Sequence, residues 1–264
     1  MSRRFDERLV LITGASSGIG KAAVERFVEA GARVVAVARD LDRLRTLADS
    51  LGGTNAVIPI EADVTDARAM QSMVRRTIDE AGVPDIVVAN AGIGLDALFV
   101  ETSDESLHQV FDVNVFGLVR SVRPFLPGML ERGSGRILLI SSIVGKRGIP
   151  HYSAYSASKF ALHGMAEALR SELHGSGVTV GLVCPSSTDT EFEQRRLSEG
   201  PRQRRVRPRS HSADFVARAI LRMAGSRRRE LLLAVDAKLL NLANRLVPGL
   251  VDGMLSRMLT RKKS

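Results

Sequence analysis

The sequence predicts an α/β fold: one domain on a doubly wound, mainly parallel sheet of seven strands, with helices on both faces. Short runs of apolar, β-rich residues alternate with longer segments of helical periodicity. Such runs are typical of parallel strands buried on both faces, and parallel neighbours require a crossover connection. The chain has 264 residues and 44% apolar content, enough to bury one full core, and no linker divides it.

The elements alternate in order along the chain. Strands are predicted at residues 9–12, 34–37, 56–58, 86–88, 137–140, 178–183 and 230–235. Helices are predicted between them at residues 18–30, 41–51, 66–80, 104–130 and 154–174. Because strand and helix repeat in turn, the helices are expected to cover both faces of the sheet.

The chain beyond the seventh strand departs from this alternation. Leucine, valine and methionine residues recur at helical spacing over residues 238–263 and predict two short amphipathic helices, with a break at Pro248-Gly249. We therefore assign residues 1–235 to the α/β domain and residues 236–264 to an amphipathic C-terminal helical extension.

Positive charge is concentrated in one stretch of the chain. There are 38 Lys and Arg against 29 Asp and Glu, a formal charge of +9, and residues 193–229 hold 12 Arg with three acidic residues. Residues 191–212 contain seven Arg, two Pro and little apolar periodicity, which predicts a mobile Arg-rich substrate loop. No aromatic residue lies between Phe192 and Phe215 to stack on bases, so we expect no nucleic-acid partner.

Several protein classes are excluded by the composition. Cys184 is the only cysteine, so no intramolecular disulfide or cysteine-based zinc site forms, and its place in a buried strand predicts a core residue. The histidines lack partners at metal-ligand spacing, and we predict no metal site. No stretch reaches the ~20 apolar residues of a spanning helix, and residues 1–8 lack a signal-peptide core. We expect a cytoplasmic protein, with peripheral membrane contact at most.

A glycine-rich turn follows the first strand and opens a helix. Residues 13–20 read TGASSGIG. Glycines allow a sharp turn and close approach to a pyrophosphate, whose charge the positive end of the helix favours. The spacing differs from the commoner G-x-G-x-x-G, and a tight turn without a ligand is the alternative interpretation.

The end of the second strand indicates which dinucleotide this turn would bind. An acidic residue there holds the ribose of NAD, whereas Arg accommodates the 2′-phosphate of NADP. The chain has Ala38 and then Arg39, so NADP(H) is favoured over NAD(H). The alternative is that Arg39 is solvated and that Asp40 caps the helix or accepts from the ribose.

Tyr155 and Lys159 are the residues that indicate a catalytic role in proton transfer. They lie four residues apart and project from one helix face. A phenol has a pKa near ~10, and a nearby ammonium would lower that pKa. A serine from the Ser141-Ser142 doublet would hydrogen-bond a reacting carbonyl oxygen while Tyr155 moves the proton.

With these motifs in this order, the chain resembles the short-chain dehydrogenase/reductase family over roughly residues 6–235. The resemblance implies a Rossmann-type fold and an NAD(P)-dependent oxidoreductase acting on CH–OH groups. It also implies a homodimer or homotetramer, formed through the helices predicted at 104–130 and 154–174.

The resemblance further implies roles for individual residues. The catalytic residues would be Asn114, Ser142, Tyr155 and Lys159, with Asn114 completing a water relay to Lys159 and Ser142 preferred to Ser141 by its distance from Tyr155. The residues that would bind the cofactor are Gly14, Ser16, Ser17, Gly18, Ile19, Gly20, Arg39, Asp63, Val64, Asn90, Ala91, Gly92, Tyr155, Lys159, Pro185, Thr188 and Thr190. The residues that would contact substrate are Ser142, Tyr152, Tyr155 and Ser186.

One position departs from the family pattern. The family usually has glycine after the proline that corresponds to Pro185, whereas this chain has Ser186. If the backbone there requires a conformation that only glycine adopts, the substrate loop would sit differently.

Three functions are consistent with these features. The first is an NADP(H)-dependent interconversion of a secondary alcohol and a ketone, with Tyr155 as general acid/base and a hydrophobic substrate, since the expected pocket walls at 93–95 and 143–149 are largely apolar. The second is reduction of a 3-oxoacyl thioester, whose acidic acyl carrier protein or coenzyme A the arginines would steer. The third is a binding role on an anionic membrane, through the Arg-rich loop and the C-terminus.

Overall fold

The computed structural model describes residues 5–200, 210–233, 242–244 and 246–260, with side chains described to residue 257. The central strands are β1 (Leu9–Thr13), β2 (Arg33–Ala38), β3 (Val57–Glu61), β4 (Ile86–Ala89), β6 (Gly135–Ile140), β7 (Val178–Cys184) and β11 (Glu230–Leu232). Four two-residue strands lie outside this sheet: β5 (Leu95–Asp96), β8 (Thr188–Asp189), β9 (Leu197–Ser198) and β10 (His211–Ser212).

The central sheet has seven strands in the order β11-β7-β6-β4-β1-β2-β3, and every neighbouring pair is parallel. The predicted doubly wound parallel sheet is confirmed. The strand order reverses between β1 and β4, and a crevice opens outside the carboxyl ends of strands at such a point. The glycine-rich turn follows β1 at this place.

The helices cover both faces of the sheet. They are α1 (Gly18–Glu29), α2 (Leu41–Ser50), α3 (Ala67–Ala81), α4 (Asp104–Phe111), α5 (Gly117–Val122), α6 (Leu126–Glu131), α7 (Ser153–Glu172), α8 (Ala213–Ala224) and α9 (Pro248–Thr260). Alternate residues of β1 separate the two cores: Val10 packs with α1, α2 and α8, whereas Leu11 packs with α3, α5 and α7. All five residues of β1 are buried, as expected for a strand covered on both sides.

The single helix predicted over 104–130 is divided. A π-helical turn at Asp112–Phe116 separates α4 from α5, and a 3₁₀ turn at Arg123–Phe125 separates α5 from α6. Pro124 lacks the amide needed to continue the α-helical pattern, which accounts for the second interruption. The homo-oligomer predicted through these helices stays a prediction; Phe116 and Phe160, on the two helical segments concerned, are 54% and 44% exposed.

The C-terminal elements differ from the prediction in position. Strand β11 ends at Leu232, and residues 234 and 235 of the predicted strand lie outside the described residues. The helical pattern is interrupted at Val247, directly before the predicted break, and α9 then begins at Pro248. Proline is tolerated in the first turn of a helix, where its missing amide has no partner to lose. Residues 242–244 are helical; residues 238–241, 245 and 261–263 of the prediction are outside the description. Among the described helices, none has both the length and the apolarity to span a membrane.

The Arg-rich loop is not a loose excursion where the structure describes it. Residues 191–200 fold back over the carboxyl edge of the sheet, with β9 pairing with β5. His211 and Ser212, after the gap, form β10 and pair with β8. Over residues 191–200 the segment lies against the domain, because it also contains acidic residues and its charges find partners on other elements. Its mobility stays a prediction, and residues 201–209 lie outside the described part.

Candidate active site

The glycine-rich turn joins β1 to α1 at the carboxyl edge of the sheet. Gly14 and Gly18 have φ angles of 67° and 53°, in the left-handed region that favours glycine. A Cβ on Gly20 would lie 2.0 Å from the Gly14 carbonyl oxygen, so the turn closes only around glycine. Ser17, the N-cap of α1, makes no side-chain capping hydrogen bond, which leaves the first helical amides available to an anion.

Residues after β4 brace this turn. Asn90 Nδ2 donates to the Thr13 carbonyl at 3.0 Å, and the backbone amides of Asn90 and Ala91 donate to Thr13 Oγ1 at 3.1 and 3.2 Å. Ser16 and Ile19 lie half-buried on the turn itself. The residues predicted to bind a dinucleotide after β1 and after β4 therefore share one edge of the sheet.

The edge beyond β2 and β3 holds the residues predicted to contact the adenosine. Arg39 is 71% exposed, and its Nη1 lies 3.8 Å from Asp63 Oδ2. Val64, the next residue, is buried. Asp40 accepts from the Arg43 backbone amide at 3.0 Å and is the N-cap of α2, so of the roles left open for Asp40 the structure shows the helix cap.

Ser142 and Tyr155 meet at the centre of this edge. Ser142 is the N-cap of a 3₁₀ turn that follows β6, and its hydroxyl accepts from the Val144 amide at 3.4 Å. The same hydroxyl is close enough to the Tyr155 phenol to lower the pKa of that phenol by hydrogen bonding. Tyr155 lies in the first turn of α7, so the end of one strand and the start of one helix position the pair.

Ser141 belongs to a different, buried cluster. Its hydroxyl donates to the Lys159 carbonyl at 3.3 Å and lies 3.2 Å from His163 Nε2, which is 3.8 Å from Cys184 Sγ. Burial lowers the pKa of His163 to about 4 and raises the pKa of Cys184 to about 12, so neither is charged at neutral pH. The geometry thus favours Ser142 over Ser141 as the neighbour of Tyr155, and Cys184 is a core residue as predicted.

Lys159 and Asn114 approach each other behind the phenol. Lys159 Nζ donates to the Ile140 carbonyl at 3.0 Å and lies 5.7 Å from the centre of the Tyr155 ring. Asn114 lies in the π-helical turn, a feature common at functional sites. A Cβ on Gly92 would be 3.1 Å from Asn114 Oδ1 and 3.5 Å from Lys159 Nζ, so glycine leaves room for both side chains.

The pKa of Tyr155 differs from the expectation. Burial disfavours the phenolate and raises the pKa of Tyr155 above its usual value, despite the hydrogen bond from Ser142. Burial also lowers the pKa of Lys159 to about 8. The expected net lowering of the Tyr155 pKa is not found: desolvation is the largest influence on the phenol, and the Lys159 ammonium donates to the Ile140 carbonyl.

Residues 190–200, which we call the lid segment, close one side of this site. The ring of Phe192 lies 5.9 Å from that of Tyr155, which lies 6.4 Å from the ring of Tyr152. Thr190 packs on the glycine-rich turn, where a Cβ on Gly18 would lie 3.2 Å from its side chain. The lid segment therefore contacts both the phenol and the predicted dinucleotide site.

Arg196 places a charged group in a wall that the sequence suggested would be largely apolar. Its guanidinium donates to the Tyr152 hydroxyl at 2.6 Å and lies 3.1 Å from Asp96 and 2.9 Å from Glu193. Sequence reasoning did not identify this cluster. The spacing of Glu193 and Arg196 was an available signal, since residues three apart meet on a helical turn.

The substitution of serine for glycine after Pro185 causes no backbone strain. Among the described non-glycine residues only Glu7 and His151 have positive φ, so Ser186 needs no glycine-like conformation, and the condition under which the loop would be displaced is not met. The Pro185 carbonyl accepts from the Ile143 amide at 3.0 Å, which ties this segment to the turn after Ser142. Thr188 Oγ1 donates to the Ser186 carbonyl at 3.0 Å.

Comparison with known proteins decides the family. The family model for short chain dehydrogenases matches residues 8–200. The chain belongs to the short-chain dehydrogenase/reductase family. The family membership that the sequence predicted is thereby confirmed.

Curated relatives match between 67% and 75% of this chain. Glycine betaine reductase ATRR of Emericella nidulans is 37% identical over 70% of this chain but only 15% of its own length. Oxidoreductase YvrD of Bacillus subtilis is 37% identical over 72% of each chain. Ketoacyl reductase HetN of Nostoc is 36% identical over 67% of this chain and 62% of its own. This chain thus spans only part of the length of ATRR and of HetN.

Solved dehydrogenase structures match the fold more completely. A short-chain dehydrogenase from Streptomyces avermitilis superposes with a TM-score of 0.81 at 28% identity, over 97% of this chain and 98% of its own. An alcohol dehydrogenase from Thermococcus sibiricus in complex with 5-hydroxy-NADP gives 0.76 at 28% identity, over 86% and 95%. A 3-ketoacyl-(acyl-carrier-protein) reductase from Brucella melitensis with NADH gives 0.79 at 25% identity, over 87% and 97%.

The residues of this dehydrogenase fit a nicotinamide dinucleotide. The uncapped N-terminus of α1 and the positive-φ glycines offer amides to a pyrophosphate. Ser186 Oγ is buried with no hydrogen-bond partner among the described residues, as expected of a group that contacts a ligand. No group of three or more potential metal ligands occurs in the part of the chain that the structure describes.

Proposed function

We propose that this dehydrogenase interconverts a secondary alcohol and a ketone with NADP(H), on a hydrophobic substrate. The observation that carries the proposal is the convergence of Ser142, Tyr155 and Lys159 beside the glycine-rich turn. A dinucleotide bound on the turn supplies or accepts the hydride.

The protein residues would supply the proton and the orientation. Ser142 would donate a hydrogen bond to the carbonyl oxygen of a ketone, and Tyr155 would transfer its proton to that oxygen. Burial moves the pKa of Tyr155 further above neutrality, so the phenol holds its proton at pH 7 and is able to act as the acid in ketone reduction. Lys159 and Asn114 would return a proton to Tyr155 through water.

The preference for NADP(H) is supported by Arg39. It follows β2 at the adenosine edge, its side chain is 71% exposed, and its 3.8 Å contact with Asp63 is too long to compete with a bidentate pair to a phosphate. Asp40, the acidic residue beside it, is engaged as the cap of α2.

A substrate screen tests the function. We expect NADPH to reduce neutral hydrophobic ketones, followed by the loss of nicotinamide absorbance. Oxidation of no alcohol and reduction of no ketone across a broad panel would contradict the proposal.

Reduction of a 3-oxoacyl thioester is the second candidate. Two similar proteins are named ketoacyl reductases, and the Arg-rich loop of this chain would attract an acidic carrier. Including a 3-oxoacyl-coenzyme A in the same screen separates the two. A rate constant for the thioester that exceeds that for neutral ketones and falls steeply with salt favours the thioester.

We also propose that the C-terminal extension docks on an anionic membrane. Leu246, Leu250 and Met254 recur every four residues and are 72%, 74% and 49% exposed. Arg147 fastens the extension to the domain through an ion pair with Asp252. Arg257 follows, and residues 261–264 read RKKS, so an apolar face and positive charge lie close in the chain. This is the pattern of a helix that binds a membrane surface.

Vesicle cosedimentation tests this docking. We expect the protein to sediment with phosphatidylserine vesicles and to lose about tenfold in affinity when Leu246 and Leu250 are both changed to Asp. Ile78→Asp, at an exposed apolar residue of α3, is the matched control and should bind as the unmodified protein. Equal recovery with neutral vesicles, or none with either, rules out the electrostatic attachment.

A further inference from the structure

Glu191 of the lid segment connects two arginines that belong to different parts of the dinucleotide site. Its carboxylate accepts from Arg43 Nη1 at 3.1 and 2.9 Å and from Arg195 Nη2 at 2.6 Å. Arg195 and Glu191 are both in the lid segment, whereas Arg43 is in the first turn of α2. The ion pairs therefore join the lid segment to the adenosine edge across 148 residues of sequence.

Each arginine lies beside a place where the dinucleotide would carry a phosphate. Arg43 lies in the first turn of α2, four residues after Arg39, and its Nε is 3.3 Å from the capping carboxylate of Asp40. Arg195 Nη1 donates to Ser17 Oγ at 3.2 Å, at the N-cap of α1. A 2′-phosphate would lie at the first position and a pyrophosphate at the second.

We propose that Glu191 is a built-in competitor for cofactor phosphates, so that Arg43 becomes a second 2′-phosphate ligand and Arg195 a pyrophosphate ligand when the dinucleotide displaces that carboxylate. The proposal rests on the NADP(H) preference proposed above. It adds a site on the lid segment to the site on the glycine-rich turn.

The exchange is physically easy because the existing ion pairs are exposed. The side chains of Arg43, Glu191 and Arg195 are 47%, 42% and 46% exposed, and ion pairs in such surroundings contribute little individually. A phosphate monoester carries up to two charges and offers three oxygens to a guanidinium, so it attracts Arg43 more strongly than a carboxylate does. The hydrogen bond from Arg43 also holds the pKa of Glu191 below its usual value, so the competitor stays charged at neutral pH.

The position of Glu191 also connects cofactor binding to the catalytic site. Phe192, the next residue, packs on Tyr155, and Arg196 donates to Tyr152. Displacement of Glu191 would thus act on a segment that contacts the phenol directly. The binding measurements below depend only on the exchange itself.

Equilibrium binding of NADPH and NADH distinguishes the roles of Arg43, Glu191 and Arg195. The full chain and its variants are titrated with each dinucleotide, following the fluorescence of the reduced nicotinamide. We expect Arg43→Met to weaken NADPH about tenfold and NADH by less than about twofold, since only NADPH has the 2′-phosphate. Glu191→Gln should increase the affinity for NADPH about threefold more than the affinity for NADH. Arg195→Met should weaken both dinucleotides alike.

Matched controls exclude a general effect of charge. Arg45→Met removes another exposed arginine of α2, and Glu25→Gln neutralises an exposed carboxylate of α1; both should leave the two affinities within about twofold. If Glu191→Gln or Arg43→Met changes NADPH and NADH equally, or changes neither, the competition is overturned.

The same titrations show whether the proposed preference for NADP(H) over NAD(H) is itself wrong. If the unmodified protein binds NADPH no more tightly than NADH and Arg39→Met changes neither affinity, the NADP(H) assignment fails, and the competition with it. Arg39→Met could instead abolish a clear preference for NADPH while Arg43→Met changes the affinities for NADPH and NADH equally or not at all. In that case the NADP(H) preference stands, and only the role of Glu191 and Arg43 is refuted.

Discussion

Tyr155→Phe is expected to lower kcat for ketone reduction by roughly 10³-fold, while the dissociation constant for NADPH changes by less than about threefold. General acid catalysis by a positioned side chain contributes about 10²–10⁴-fold, and phenylalanine removes only the hydroxyl. The ring contacts with Phe192 and Tyr152 are kept, so the fold of the site should not change. Nicotinamide absorbance measures turnover, and nicotinamide fluorescence measures binding.

The serine doublet supplies a matched pair of controls for the same assay. Ser142→Ala removes the hydroxyl that hydrogen-bonds Tyr155 and should lower kcat by about 10²-fold or more. Ser141→Ala alters the buried contact with His163 instead and should keep turnover within about threefold. Turnover by Tyr155→Phe within tenfold of the unmodified protein would show that another group transfers the proton.

Local sequence signals were sufficient for the fold and for the identity of the candidate catalytic residues. The glycine-rich turn is recognisable because Gly14, Gly18 and Gly20 are required by backbone geometry within seven residues. The strands are recognisable because parallel strands buried on both faces are apolar throughout. Tyr155 and Lys159 are recognisable because helix geometry alone places residues i and i+4 on one face.

Properties that depend on distant contacts were not predictable. The pairing of Arg43 with Glu191 joins residues 148 positions apart, and nothing in either neighbourhood indicates it. A dense run of arginines is usually solvated and therefore predicts a mobile segment, whereas the partners of the lid segment, such as Asp96, come from other elements. The pKa of Tyr155 was predicted in the wrong direction because desolvation depends on the whole surrounding fold.

Lys159→Met is expected to stabilise the protein at neutral pH while it removes activity. Lys159 is 4% exposed, and burial lowers its pKa from the usual 10.5 to about 8. At pH 7 the folded protein holds this ammonium in a desolvated place, and this lowers the free energy of unfolding. Methionine has a similar length and carries no charge. We expect the free energy of unfolding to rise by about 2 kcal/mol, less the contribution of the lost hydrogen bond to the Ile140 carbonyl.

The pH dependence gives this prediction its sign. Because the pKa of Lys159 is lower in the folded than in the unfolded state, the unfolded state binds more protons between about pH 8 and pH 10.5. The contribution of Lys159 to stability is therefore most unfavourable below pH 8 and disappears as the pH rises to 10.5. Lys159→Met should remove this rise, so the two proteins should differ most at pH 7 and converge at alkaline pH.

Thermal and denaturant unfolding at several pH values measure the effect. An increase of about 2 kcal/mol corresponds to a rise in Tm of roughly 4–8 °C for a chain of this size. Lys21→Met, at a lysine of α1 whose side chain is 52% exposed, is the control and should leave the pH profile unchanged. Turnover of Lys159→Met should fall about 10²-fold or more, because Tyr155 loses the neighbour that restores its proton. If Lys159→Met loses activity and is no more stable than the unmodified protein at any pH, the buried ammonium does not destabilise the fold, and the prediction is wrong.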